Sequence, residues 1–337
     1  MHIEKGVLLF EITTTCNLHC SHCFGNKSTN NILTLPKIKQ ILEKITSYKV
    51  RDLILTGGEP FLRPDIFEII QYAKRCGIEN IAITTNGILF DSNNIIQKIN
   101  ENLDVIAQLY IGINGATSKT HNFIRGAGQF EKLMRILRKN EVRKLPIGID
   151  VCVGKWNFHE LYDFFDMAQK FSCLFFNFVP FIPLGVGKAI IDQVLSAEEC
   201  KSMLEMVHEM KLTGEYFDLC FTPYAKVIDK DLTSCCNILS EFITLTAQGE
   251  IIPCLYMKEF NLGSFLNYEL EELYSKPIAK YFLEPQKNKT KIKGYCNKCN
   301  HYELCGGGCK VVSYAIKGSI FETDPLCPFA EQGEKLF

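Results

Sequence analysis

Six short apolar runs, each separated from the next by an amphipathic stretch, govern what this chain can become. The runs Val7–Thr13, Asp52–Thr56, Ile81–Thr85, Val105–Ile113, Ile147–Val153 and Leu174–Val179 have the length and residue types of strands. Between them, Pro36–Ser47, Pro64–Cys76, Ser92–Asn100, Gln129–Asn140 and Phe158–Phe171 read as helices. Pro36 and Pro64 suit first helical turns, and Asp91 or Ser92 suits an N-cap. Apolar strands alternating with helices predict parallel βαβ units of an α/β fold, covered on both faces. The parallel pattern is expected to stop near residue 180. Ser196–Leu212 reads as one more helix, with Glu198 and Glu199 in its first turn, and from about Cys220 onward short strands, turns and cysteines follow. The expected organisation is a first domain over residues 1–184, a linker with a helix over 185–232, and a cysteine-rich domain over 233–337.

With 337 residues, 47% of them hydrophobic, the chain has material for a full core and a smaller attached domain. A net charge of -1 argues against a nucleic-acid partner, whose phosphates favour a strongly basic face. No membrane partner is expected either. The apolar start Gly6–Phe10 is cut short by Glu11, and Leu174–Val186 contains Asn177, Pro180 and Pro183. The expected location is the cytoplasm, and there 16 cysteines are better explained as metal or cluster ligands than as disulfides. Three lie between Cys16 and Cys23 and eight between Cys235 and Cys327, whereas Cys76, Cys152, Cys173, Cys200 and Cys220 are scattered and suit small buried positions.

Cys16, Cys20 and Cys23 follow directly on the first strand. A four-iron cube needs one sulfur ligand per iron, so three cysteines leave one iron open for a reactant. Zinc is the alternative, with His19 or His22 as a further ligand. The surroundings favour the cluster. Thr56-Gly57-Gly58-Glu59-Pro60 ends the second strand, where two glycines allow close approach to a ligand and Glu59 can accept bonds from an ammonium group. Thr84-Thr85-Asn86-Gly87 ends the third strand, and Asn114-Gly115 ends the fourth, followed by His121, Arg125, Gly126 and Gly128. All lie at carboxyl ends of predicted parallel strands, where such folds bind ligands.

On these motifs, residues 7 to 180 resemble the radical S-adenosylmethionine superfamily. The resemblance implies a partial (β/α)6 TIM-like barrel in which three cysteines hold a catalytic 4Fe-4S cluster and S-adenosyl-L-methionine (SAM) chelates the fourth iron. Carried over, Cys16, Cys20 and Cys23 would be the ligands. Gly57, Gly58 and Glu59 would meet the methionine amino group, and Arg125 its carboxylate. Thr85, Asn86 and Asn114 would complete the cofactor site. The chain departs from the family in two places. His22 stands where an aromatic residue is usual before the third cysteine, and Gly112-Ile113-Asn114-Gly115 stands where Ser-x-Asp-Gly is usual.

The later cysteines run Cys236, Cys254, then Cys296-x2-Cys299-x5-Cys305-x3-Cys309, then Cys327, with Gly306–Gly308 letting the chain wrap a bulky group. By themselves they are equally open to a pair of structural zincs. The set resembles the SPASM domain, which implies two auxiliary iron–sulfur clusters. By that resemblance Cys296, Cys299, Cys305 and Cys327 would hold one, and Cys236, Cys254 and Cys309 the other. Cys235 could replace Cys236, and the fourth ligand could be Cys235, Cys220 or an open position.

The implied chemistry is reductive cleavage of SAM to a 5′-deoxyadenosyl radical that abstracts a substrate hydrogen. No general base is assigned beyond the cluster, and an external one-electron reductant such as flavodoxin or ferredoxin is required. The leading substrate class is a ribosomally made peptide that is cross-linked through thioether or carbon–carbon bonds, or epimerised. Because the first strand begins near residue 7, a separate leader-peptide recognition protein is an expected partner. Leu255, in the place of an aspartate after the cysteine matching Cys254, argues against sulfatase maturation. The alternatives are a small-molecule enzyme of tetrapyrrole, quinone-cofactor or aminoglycoside pathways, and a non-catalytic zinc-binding interaction module.

Overall fold

A computed structural model describes residues 6–25, 32–139, 142, 144–212, 218–221, 223, 225–228, 233–234, 238–239 and 242–330. Six parallel strands form where the apolar runs lie: β1 (Val7–Thr13), β2 (Asp52–Gly57), β3 (Asn80–Thr85), β4 (Ile106–Gly112), β5 (Ile147–Val153) and β6 (Phe175–Pro180). They pair in sequence order, each parallel to the next. Helices α1 (Leu35–Thr46), α2 (Ile66–Arg75), α3 (Asn93–Asn100), α4 (Ser118–Arg125) and α5 (Gln129–Leu137) fall in the intervening stretches. Pro36 does sit in the first turn of α1. Pro64 does not start a helix; α2 opens two residues later behind Asp65, and Pro60 instead leads a short 3-10 turn.

The parallel pattern does not stop at residue 180. Strands β7 (Asp218–Phe221) and β8 (Thr233–Ser234) continue it, pairing parallel with β6 and β7. On the other edge β9 (Phe242–Leu245) pairs parallel with β1, followed by antiparallel β10 (Glu250–Ile252) and β11 (Gly263–Ser264). These strands are two to four residues long, too short to show a periodic pattern against their polar surroundings. The result is one 11-stranded sheet in which C-terminal strands close over β1. It is the parallel-dominated sheet of a partial TIM barrel.

The two faces of this sheet differ. Leu8, Phe10, Leu53, Leu55, Ile83, Leu109, Ile111, Ile149 and Val151 are fully buried on the outer face, against the helices. Positions between them carry Thr56, Thr84, Gln108, Tyr110, Asp150, Cys152 and Asn177, all half-buried. Side chains alternate across a strand, so one half supplies the core, while the concave inner face sets Leu9, Ile54, Ala82, Phe175 and Val179 beside these polar groups.

Candidate active site at the carboxyl ends of the strands

The segment after β1 holds Cys16, Cys20 and Cys23, none of them in a disulfide. Gly58 and Glu59 donate backbone N–H groups to the Thr13 and Thr15 carbonyls, both at 2.8 Å. The approach is so close that a Cβ on Gly57 would lie 2.0 Å from the Thr13 oxygen, and one on Gly58 2.1 Å from the Thr15 oxygen. These glycines therefore serve contact between the protein's own strand ends. The other side of the loop is pinned by Ser21, whose N–H donates to the Ile124 carbonyl at 2.9 Å, and by the Val186 N–H on the Cys23 carbonyl at 3.1 Å.

Glu59 is fully buried. Its carboxylate accepts from the Thr85 hydroxyl and the Asn86 N–H, each at 2.8 Å, and from the Phe61 N–H at 3.2 Å. Burial raises its pKa, opposed by these bonds and by Arg125. Glu59 thus joins the end of β2 to the turn after β3. That turn reaches the cysteines: Asn86 Nδ2 donates to Asn17 Oδ1 at 2.7 Å and lies 4.0 Å from Cys16 Sγ.

Asn114 organises the opposite wall. Its Oδ1 accepts from Arg125 Nε at 3.1 Å and Nη2 at 2.8 Å, and its carbonyl accepts from Trp156 Nε1 and Asn157 Nδ2. The Asn114 N–H donates to His121 Nδ1, while Asn114 Nδ2 lies 3.3 Å from His22 Nε2. Because the Asn114 oxygen serves Arg125, its amide donates to His22, which places the His22 proton on Nδ1. That nitrogen is buried without a partner. Burial and the Arg125 charge lower the pKa of His22 and of His121 to about 3, so both are neutral. Trp156, Asn157 and Glu160, which binds Thr117 and Thr120, escaped the sequence reading because each acts through a backbone or hydroxyl contact distant in sequence.

Among the described residues no carboxylate lies within ion-pair distance of Arg125. A half-buried guanidinium held by a neutral amide, an orphaned N–H on His22 and three cysteines fit an anionic ligand beside a cluster. Among the described residues no three His, Cys, Asp or Glu groups converge on a single-ion site.

The later cysteines fall into two groups. Cys305 is pushed up by burial, and after it by Cys296 and Cys299. Cys327 is pushed up to about 12 by burial, with Asp324 and Cys296 adding to it. Cys254 is likewise raised to about 12, first by burial and with a smaller contribution from Cys309. Buried Asp324 ties the groups together by accepting from the Cys309 and Leu326 N–H groups at 2.7 and 2.9 Å. Lys310, also buried, donates to the Gly307 carbonyl at 2.8 Å. Cys235 and Cys236 lie outside the described residues.

One aromatic contact spans the two centres. Phe24, next to Cys23, meets Tyr256, two residues past Cys254, with ring centroids 4.1 Å apart. Burial raises the Tyr256 pKa well above the usual value, followed by the charges of Cys152, Cys254 and Asp150.

The comparisons agree with this geometry. Residues 10–168 match the Radical SAM superfamily, and residues 235–300 match the SPASM iron–sulfur cluster-binding domain. The chain is 27% identical to the AdoMet-dependent heme synthase of Methanosarcina barkeri, over 95% of both chains. Its fold is shared with anSMEcpe, in a structure with AdoMet and Kp18Cys peptide bound (TM-score 0.76, 18% identity, 95% of this chain and 93% of the other). It is shared equally with Streptococcus suis SuiB bound to the precursor peptide SuiA (TM-score 0.76, 17% identity, 96% and 76%). No helix among the described residues is long and apolar enough to cross a membrane. The chain therefore carries a radical SAM domain over residues 10–168 and a SPASM domain over residues 235–300; these domains imply an enzyme that uses SAM, a 4Fe-4S cluster and auxiliary iron–sulfur clusters, and the reading as a zinc-binding interaction module is set aside.

Proposed function

We propose that this enzyme modifies a ribosomally made peptide, held on the inner face of the sheet between Arg125 and Tyr256. The carrying observation is the chemistry of that face. Glu11, Thr13, Thr56, Thr84, Gln108, Tyr110, Asp150, Cys152 and Asn177 line β1 to β6, and none of the described inner positions is Lys, Arg or His. Hydroxyls, amides and acids suit a peptide backbone and its polar side chains. A tetrapyrrole precursor with several carboxylates asks for several cations, and here Arg125 faces the cofactor while Lys258 is paired with Glu11.

In this reading Cys16, Cys20 and Cys23 hold the catalytic cluster, and Arg125 takes the SAM carboxylate. Thr85, Asn86 and Glu59 hold the ends of β2 and β3 against the cysteine loop, and Gly57 and Gly58 permit that closeness. Asn114 orients Arg125 and His22. Cys296, Cys299, Cys305 and Cys327 hold one auxiliary cluster, and Cys254 and Cys309, with Cys236 or Cys235, the other. When bound, SAM and the catalytic cluster supply a 5′-deoxyadenosyl radical, and the protein contributes position and exclusion of water. An external one-electron reductant such as a flavodoxin or ferredoxin completes the reaction.

The match to a heme synthase over 95% of both chains supports a second reading, action on a tetrapyrrole. Anaerobically reconstituted enzyme, SAM and reductant, offered short peptides encoded beside the gene and separately an iron porphyrin with propionate groups, decide between them. Loss of hydrogen from a peptide, with 5′-deoxyadenosine formed and abolished by Cys20→Ala, is expected. Modification of the porphyrin alone would overturn the peptide reading.

A further inference from the structure

Two of the inner-face groups that line the proposed peptide site stand apart from the rest. Asp150 on β5 and Asn177 on β6 are paired in register, and Asn177 Nδ2 donates to Asp150 Oδ1 at 2.7 Å. That bond fixes the amide, turning the Asn177 oxygen away from the carboxylate. The oxygen is buried and has no hydrogen-bond partner. Leaving a buried acceptor unpaired is unfavourable, and a bound donor removes that cost.

Asp150 accepts that one bond and lacks a cation partner. Among the described residues it makes no ion pair, and Arg125, the cation whose charge acts on it, is bonded to Asn114 instead. Burial lifts its carboxyl to about 6, opposed by Arg125 and the Asn177 bond, which leaves it ionised at neutral pH. The pair therefore presents a carboxylate oxygen and an amide oxygen as acceptors, and its one donor is already used. Its place is between the two centres. Arg125 acts on Asp150 from the cofactor side, and Tyr256 feels Asp150 and Cys152 together with Cys254 and Cys309.

We propose that Asp150 and Asn177 form a specificity pair that accepts the N–H groups of a basic substrate side chain, lysine or arginine, and so chooses which neighbouring residue meets the radical. This rests on the peptide reading above. A cation is favoured over a neutral donor because the carboxylate is unpaired and a charged hydrogen bond is roughly twice as strong as a neutral one. The pair selects partly by rejection: an acidic side chain there would meet two acceptors and no donor.

Calorimetric titration of the anaerobic, SAM-loaded holoenzyme tests this with defined probes: Nα-acetyl-lysine methylamide, Nα-acetyl-arginine methylamide and agmatine, against the glutamate and norleucine methylamides. The basic probes are expected to bind with Kd on the order of 1–10 mM. Asp150→Asn is expected to weaken them roughly tenfold, the loss of one charged hydrogen bond. Asn177→Asp is expected to hold or tighten them by adding a carboxylate. Equal binding of the glutamate or norleucine probe, or basic-probe binding unchanged in Asp150→Asn, overturns the proposal. Should Asp150→Asn lose its iron, Asn177→Leu is read in the same way. The peptide reading is scored apart. Modified peptides with no basic residue near the altered position overturn the specificity pair and keep the peptide reading. Basic-probe binding that depends on Asp150, in an enzyme that modifies only the porphyrin, supports the pair and overturns the peptide reading.

Discussion

Glu59 shows how a residue's place in a motif leaves its contacts open. Its place in Gly57-Gly58-Glu59 suggested an acceptor for a cofactor ammonium, whereas its three bonds run to Thr85, Asn86 and Phe61 within the protein. A carboxylate at a strand end can do either, and only its neighbours in space decide. Asp150 makes a prediction at the same scale. Its carboxyl is raised from 3.8 to about 6, first by burial. A raised acid favours the folded state while protonated, so its contribution is present below the unfolded pKa and is lost as pH rises through about 6. Thermal melts of the wild type and Asp150→Asn between pH 4 and pH 7 should show the wild type losing ground to the variant across that window. Parallel curves would refute the assignment.

At the scale of elements, the join between β1 and β2 is the tightest constraint. Both strands end in a segment whose backbones hydrogen-bond at 2.8 Å, and this holds the cysteine loop over the sheet. Gly58→Ala sets a Cβ against the Thr15 carbonyl, and backbone cannot yield as a flexible side chain does. We expect it to cost about 1–3 kcal/mol of stability and to lower bound iron, seen by thermal unfolding and iron analysis. Gly6→Ala, where nothing lies within 4 Å, is the control and should change neither. The six long strands were legible because both the apolar run and its flanking helix carry a period. Strands β7 to β11 were not, because a strand of two to four residues gains its identity from the neighbour it pairs with.

Over the whole molecule, the C-terminal part is fastened to the barrel's first strand. Besides the β1–β9 pairing, Glu11 of β1 meets Lys258 at 2.5 Å and accepts from the Ala247 N–H at 3.4 Å. The Glu11 side chain is 6% exposed, so Lys258→Met leaves a buried carboxylate unpaired. Its expected cost is about 3–5 kcal/mol, and Glu11→Gln combined with Lys258→Met should recover much of it, as denaturant titrations of the two variants would show. Equal stability of Lys258→Met and wild type would mean that the pair does not fasten the two parts. The sequence by itself determined the α/β class, the six strands and the place of the three-cysteine loop after the first of them, because these rest on periodicity and spacing along the chain. Tertiary structure alone decided what the side chains at the mouth face. Asn114 holds Arg125, the Asn177 oxygen and the His22 Nδ1 are buried without a hydrogen-bond partner among the described residues, and Phe24 meets Tyr256. The physical reason is that hydrogen bonds and ring contacts join residues far apart in sequence, and no local pattern records which partner each will find.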